Sequence, residues 1–168
     1  MIILRDTTLD ITPLKTERGI LTCYVKALPV QSQVNDLMSI TEDSKVETWG
    51  LYCSGTLGMA RAGDPNSANS QFFLMRSYTD ALERKYTAFG MTLVGLDVVR
   101  KLKLGEPPVD PDVMTKVQVL ADMPEADRPK IEVMDTHSPE FAAVIEAKRK
   151  LSPAGLTGCD VPVPVKVN

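Results

Sequence analysis

Residues 55–90 read GTLGMARAGDPNSANSQFFLMRSYTDALERKYTAFG, and the rest of the chain is organised around them. Two apolar runs with strand character, 56–62 and 71–76, bracket a polar hinge, GDPNSANS, at 63–70. Gly, Pro, Asn and Ser each favour turns for a different reason: left-handed backbone, fixed φ, or a side chain that bonds nearby backbone. A third apolar run, 86–94, follows one more loop. Strand, irregular loop and strand fix backbone donors beside an apolar floor, which suits a binding site. The same pattern also describes an ordinary long hairpin.

Downstream, 96–104 predicts a helix with Leu96, Val99 and Leu102 toward the core and Gly105 as its stop. The loop EPPVDP at 106–111 is rigid, because its prolines remove donors and fix φ. Residues 113–121 read as a strand. In the tail, 130–134 alternates with Ile131 and Val133 on one face. Ser138-Pro139-Glu140 is a helix start: a capping hydroxyl, a proline in the first turn and an acid near the positive end. The helix is expected over 139–151, docked through Phe141, Val144 and Ile145, with Lys148 on the same stripe and a Glu146–Lys150 pair. Residues 161–167 alternate Val with Pro and Lys and predict an extended edge segment. Upstream, strands are expected at 2–4, 7–12 and 20–25. Val30, Val34, Leu37 and Met38 suggest a short amphipathic helix within 30–40. For 46–52, Trp49 and Tyr52 favour strand while Gly50 weakens it. Strand–helix–strand spacing around 96–104 admits a βαβ unit, but no repeated βαβ run supports a doubly wound sheet.

The chain has 168 residues, 43% of them hydrophobic and 24% charged, which fits one globular domain. Net charge is −3 and the pI about 5.2, against a nonspecific nucleic-acid binder, which needs clustered Lys and Arg. No apolar run approaches the roughly 18 residues that suggest a membrane span, and Asp6 interrupts the N-terminus too early for a secretory apolar region. Cys23, Cys53 and Cys159 are widely spaced and are expected to form neither a disulfide framework nor a zinc pattern. They suit a reducing compartment. His137 is the only histidine, so a His-rich metal site is excluded.

GTLGMARAG followed by NSANSQFF resembles the central signature of the cyclophilins, the barrel-type peptidyl-prolyl cis-trans isomerases. The likeness continues through Leu82, Lys85, Phe89-Gly90 and GLDVV at 95–99, and covers about residues 55–120. It implies a mainly β, antiparallel barrel, incomplete on its N-terminal side, with the helix at 96–104 plugging an end and a C-terminal helical extension. The expected division is a cyclophilin-like domain at 1–121, atypical over 1–54, and an extension at 122–168 packed on the same domain. The implied function is isomerase (rotamase) activity on X-Pro bonds during protein folding, with no cofactor and no metal. The implied partners are proline-containing segments of client proteins, bound by a monomer, with no nucleic acid and no membrane.

An X-Pro bond prefers trans only modestly, yet rotates over roughly tens of seconds because amide resonance raises the barrier. Catalysis needs an apolar pocket for the proline ring, a donor for the preceding carbonyl, and ideally a cation at the prolyl nitrogen. The gain comes from binding the twisted amide better than either planar form. By the resemblance, Phe73 and Leu82 sit at pocket positions beside Met59, and Gln71 lies near the substrate backbone. Ala60, Arg61 and Ala62 match the segment that pairs with the peptide, and Tyr86 stands where the family carries a pocket histidine. Phe72 points away from Phe73 on a strand and is expected in the core. Each has a plainer reading. Met59, Phe72 and Phe73 serve as core, Gln71 as an edge polar residue, Arg61 as a solvated strand residue, and Asn66, Asn69 and Ser70 as turn-formers.

Three departures bear on activity. Ala81 stands where many members carry an indole donor, which widens the pocket rim. Asp64 is an additional residue in the hinge. Upstream, the Phe-His-Arg run and the later Met-x-Gln-Gly-Gly segment of the family have no counterpart in residues 1–54, where Arg5 and Arg18 are the only arginines and neither has that context. A truncated start, a mispredicted start and a degenerate member all fit. Two functional readings therefore stand: an isomerase, weak or inactive in this form, and a non-catalytic proline-peptide binding protein. The expected location is cytoplasmic, or periplasmic or otherwise exported if a signal sequence lies upstream.

Overall fold

A computed structural model describes residues 2–5, 12–17, 19–152 and 155–168. The first sheet is antiparallel, with strands β1 (Ile2–Arg5), β2 (Thr12–Glu17), β3 (Ile20–Val25), β4 (Leu28–Gln33) and β5 (Val46–Gly50) in the order β1-β5-β4-β3-β2. β3 and β4 meet at a tight turn where Lys26 takes a left-handed φ of 53°. Between β4 and β5 the registered pair Ser32 and Thr48 is fully buried, and the Thr48 hydroxyl donates to Ser32 Oγ at 2.8 Å. That cross-strand bond lets two hydroxyls occupy the interior.

A second antiparallel sheet holds β6 (Thr56–Met59) between β7 (Phe72–Leu74) and β8 (Ala88–Met91). The third is a ribbon of β9 (Ile131–Val133) and β10 (Val165–Val167), in which the tail segment pairs after its prolines have passed. Helix α1 (Leu96–Lys101) buries Val99, and α2 (Pro139–Leu151) buries Phe141 and Ile145. Among the described residues all strand pairings are antiparallel, so the βαβ alternative is not realised there. Among the described residues, no hydrogen-bonded strand pairing joins the three sheets into a closed barrel.

The tail helix forms where its sequence places it. Ser138 Oγ accepts from the Phe141 amide at 3.2 Å, with Pro139 at the first turn. Phe141 meets Tyr24 edge to face, ring centroids 5.2 Å apart, within a core that includes Leu14, Ile145, Leu156, Val161 and Val163. Val144 is partly buried against it, whereas Lys148 is exposed and the helix ion pair is Arg149 with Glu146. The Tyr24 hydroxyl donates to the Val161 carbonyl at 2.9 Å, and burial pushes its pKa above the ordinary tyrosine value.

Four expectations are corrected. Cys53 and Cys159 form a disulfide, Cα atoms 5.2 Å apart, joining residues 106 positions apart in sequence, so no local spacing announces it. Residues 113–121 form no strand; apart from a short 3-10 turn beginning at Leu120, they are irregular and exposed. Residues 30–40 divide between β4 and a 3-10 turn, Asn35–Ser39, because sheet pairing of Val30 to Ser32 overrides the helical spacing. The run 56–62 is strand only to Met59, 71–76 only over 72–74, and 86–94 only over 88–91. The strand expected at 7–12 falls mostly outside the described residues.

Candidate functional site

The register of β6 against β7 sets Gly58 opposite Phe73. The Phe73 ring lies across that glycine so closely that a Cβ at 58 would fall 2.3 Å from Cζ and within 3 Å of both Cε atoms. Glycine is required here for close approach, and not for a special φ. The ring is then held by two others. Tyr52, fully buried just after β5, stacks on Phe73 at 5.8 Å between centroids and 21° between planes. Tyr86 meets it edge to face at 6.0 Å and 85°. Both geometries suit the aromatic quadrupole.

Tyr86 is itself held from outside. The Arg61 guanidinium lies 4.5 Å from the Tyr86 centroid and donates to the carbonyls of Ala62 at 2.9 Å, Gly63 at 3.1 Å and Lys85 at 3.1 Å. Arg61 thereby ties the end of β6 to the turn before β8, and its donors are committed to backbone. The turn places Leu82 beside Tyr86, since the Leu82 carbonyl accepts from the amides of Lys85 and Tyr86 at 3.2 and 3.1 Å. Met59 donates to the Thr87 carbonyl at 2.9 Å and Ala60 to that of Gln71 at 2.9 Å, while the Ala62 amide donates to Ser67 Oγ at 2.9 Å. The backbone of 60–62 is therefore a braced loop, not an open strand. Phe73, Leu82, Tyr86, Met59 and Arg61 are half-buried, and Gln71, Ala62 and Ala81 are exposed at the rim.

Phe72 is not core: it is 41% exposed. The unclosed second sheet leaves its outer face to solvent, so the residue opposite Phe73 in the alternation has nothing to pack under. Arg5 pairs with Val46 in the first sheet, not in the sheet that carries Phe73. Arg18 lies outside the described residues.

Sequence reasoning missed the polar layer beneath this surface. The Tyr52 hydroxyl and Glu83 Oε1 are buried without hydrogen-bond partners. Burial, then the Glu83 and Tyr86 charges, push the Tyr52 phenol up to about 12. Burial also raises Glu83, opposed by a hydrogen bond from Trp49. Next to it, the Arg84 guanidinium covers the Trp49 ring at 4.0 Å and pairs with Glu47 at 2.9 Å. No local signal marks Tyr52 or Glu83, because their meeting depends on how 49–52 packs against 78–86.

Cavities among the described residues lie elsewhere. A groove of about 640 Å³ is lined by Val25, Lys26, Leu93, Met134 and His137, among others. A cleft of about 80 Å³ holds Cys53, Ser54, Arg100, Gly158 and Cys159. Neither is lined by Phe73.

The family model described as cyclophilin type peptidyl-prolyl cis-trans isomerase/CLD matches residues 26–120, and so takes in β4 and β5 as well as the central motif. A probable peptidyl-prolyl cis-trans isomerase of Brucella abortus (strain 2308) is 41% identical over 76 residues, 42% of this chain and 39% of that protein. Peptidyl-prolyl cis-trans isomerase 9 of Schizosaccharomyces pombe is 34% identical over 70 residues, 39% of this chain and 11% of that protein. The match spans about two fifths of the Brucella protein's length. Among solved structures, cyclophilin AquaCyp293 from Hirschia baltica superposes with a TM-score of 0.90 at 32% identity, over 99% of this chain and 63% of that one.

Proposed function

Because this chain belongs to the cyclophilin family of peptidyl-prolyl cis-trans isomerases, we propose that its Phe73 surface binds proline-containing segments of other proteins and accelerates X-Pro rotation, weakly. The observation that carries the reading is the ring cluster of Tyr52, Phe73 and Tyr86 across Gly58, bordered by Leu82 and Met59. It offers a rigid apolar wall of the size of a pyrrolidine ring, with Gln71 at the rim as a donor for the preceding carbonyl.

Weak acceleration follows from where the cations are. Binding both planar forms equally does not speed rotation; a donor must meet the twisted amide. Arg61 lies against the wall at Tyr86, and its guanidinium is occupied by three carbonyls and the Tyr86 face. The same occupancy favours the second reading, a non-catalytic binder of proline segments. The Cys53–Cys159 disulfide favours an exported location over a cytoplasmic one, since such bonds persist in oxidising compartments.

Exchange spectroscopy on an Ala-Pro peptide with the purified chain tests this. Peptide shifts with a slight rise in cis/trans exchange, both lost in Phe73→Ala, are expected. Binding with no rise selects the binder, and a folded sample without peptide shifts refutes both readings.

A further inference from the structure

We propose that the Cys53–Cys159 disulfide is a redox clasp, opened by small anionic thiols at Cys159, that couples the docking of the C-terminal tail to the shape of the Phe73 surface.

The bond lies in the small cleft with Arg100 and Ser54. Its two sulfurs differ in access: Cys53 is 3% exposed, whereas Cys159 is half-buried. An incoming thiolate therefore reaches the Cys159 sulfur first. A new S–S bond forms there, the Cys53–Cys159 bond breaks, and Cys53 leaves with the electron pair as a thiolate that takes a proton from water. A second thiolate then displaces Cys159 from the mixed disulfide. In balance, two small thiols are oxidised to one disulfide and the protein bond is reduced to two thiols. Arg100, which lines the cleft and donates from Nε to Ser54 Oγ at 3.2 Å, favours both an anionic attacker and an anionic leaving sulfur.

Each end of the bond belongs to a different structural unit. On the tail side, Gly158 sits so tightly on the first sheet that an added Cβ would fall 2.7 Å from Leu51 Cδ1 and 3.1 Å from Thr22 Cγ2. Val161 follows it, its carbonyl bonded to the Tyr24 hydroxyl. On the other side, Cys53 directly follows Tyr52, the ring stacked under Phe73. The carbonyl of Tyr52 accepts from Thr79 at 3.2 Å, and the Ser54 hydroxyl donates to the Arg76 carbonyl at 2.8 Å. Residues 51–54 are thus a segment that meets the tail on one side and the peptide surface on the other. Opening the bond makes tail docking a reversible, non-covalent equilibrium, and Leu51 loses its cover whenever the tail lifts.

The test uses the full chain, oxidised and after exposure to glutathione. Mass mapping at short times is expected to find the glutathione adduct on Cys159, forming more slowly in Arg100→Gln. Hydrogen exchange of the fully reduced protein is expected to rise across 156–163 and 50–54. Cys53→Ser/Cys159→Ser is expected to reproduce the reduced pattern; if that variant does not fold, the reduced wild-type chain gives the same reading. A first adduct on Cys53, or unchanged exchange at 156–163 after full reduction, overturns the clasp. The coupling to the surface rests on the proline-peptide reading: affinity for an Ala-Pro peptide is expected to fall about fivefold or more on reduction. Equal affinity in both states, with the tail opened, overturns the coupling. No peptide binding in either state refutes the peptide reading alone and leaves the clasp to be judged by exchange.

Discussion

Substituting Gly58 with Ala tests the central geometry through a single methyl group. The new Cβ would lie 2.3, 2.7 and 2.9 Å from three atoms of the Phe73 ring, so the ring must shift. It cannot shift freely, because Tyr52 and Tyr86 hold it on two sides. Overpacking of this kind costs about 1–3 kcal/mol. Against this, replacing a strand glycine by alanine returns about 0.5–1 kcal/mol of backbone entropy, and Gly58 carries no left-handed φ to strain the new residue. The net expectation is a loss of about 1–2 kcal/mol, or a fall in Tm of very roughly 2–8 °C for a domain of this size. In a Phe73→Ala background the ring is gone, and Gly58→Ala should become stabilising by about 0.5–1 kcal/mol. Urea unfolding of the four proteins closes the cycle, with a coupling of about 1–3 kcal/mol. Proline-peptide shifts should vanish in Gly58→Ala as fully as in Phe73→Ala. Equal effects of Gly58→Ala in both backgrounds would show that Phe73 does not lie across the glycine, and the binding surface would have to be redrawn.

Reducing the disulfide should lower the urea midpoint strongly, since closing a loop of 106 residues is worth about 4–5 kcal/mol in chain entropy. The Tyr52 phenol, raised above its ordinary value to about 12, contributes stability that is complete below pH 10 and is lost as pH rises through about 12. Urea midpoints measured across that window should fall with pH, and fall less in Tyr52→Phe. Phe72→Ala should cost only about 1 kcal/mol by thermal unfolding, because the side chain is 41% exposed. Ser138→Ala should cost about 1 kcal/mol and reduce helical circular dichroism, the Phe141 amide losing its cap.

What the sequence made legible was local. The start of α2 was readable from Ser138, Pro139 and Glu140 because a cap is a contact within three residues. Gly58 and Phe73 meet because two strands joined by a turn-rich hinge pair antiparallel, which the hinge composition also announced. The misses share one cause. Cys53 and Cys159, Tyr52 and Phe73, and Glu83 and Trp49 come together between separate loops and strands, where spacing carries no information. Phe72 and 113–121 failed in the opposite direction: Phe72 does alternate with Phe73 on β7, but its outer face stays open to solvent, and 113–121, though rich in strand-forming residues, pairs with no strand among the described residues.

The exposed run between Leu104 and Leu120 governs how the molecule behaves in solution. Val109, Val113 and Val117 are each more than 70% accessible, in a segment of strand-forming residues that forms no strand. Glu106, Asp110, Asp112 and Lys116 are the charges within the run that keep such segments apart. The whole chain carries only −3 at pH 7 and reaches neutrality near pH 5.2. Colloidal repulsion is therefore thin and disappears in mild acid, while the apolar run is unaffected by pH. Solubility should pass through a minimum near pH 5, with turbidity that rises with protein concentration and with sulfate, and that recedes when Val113 and Val117 are replaced by Lys.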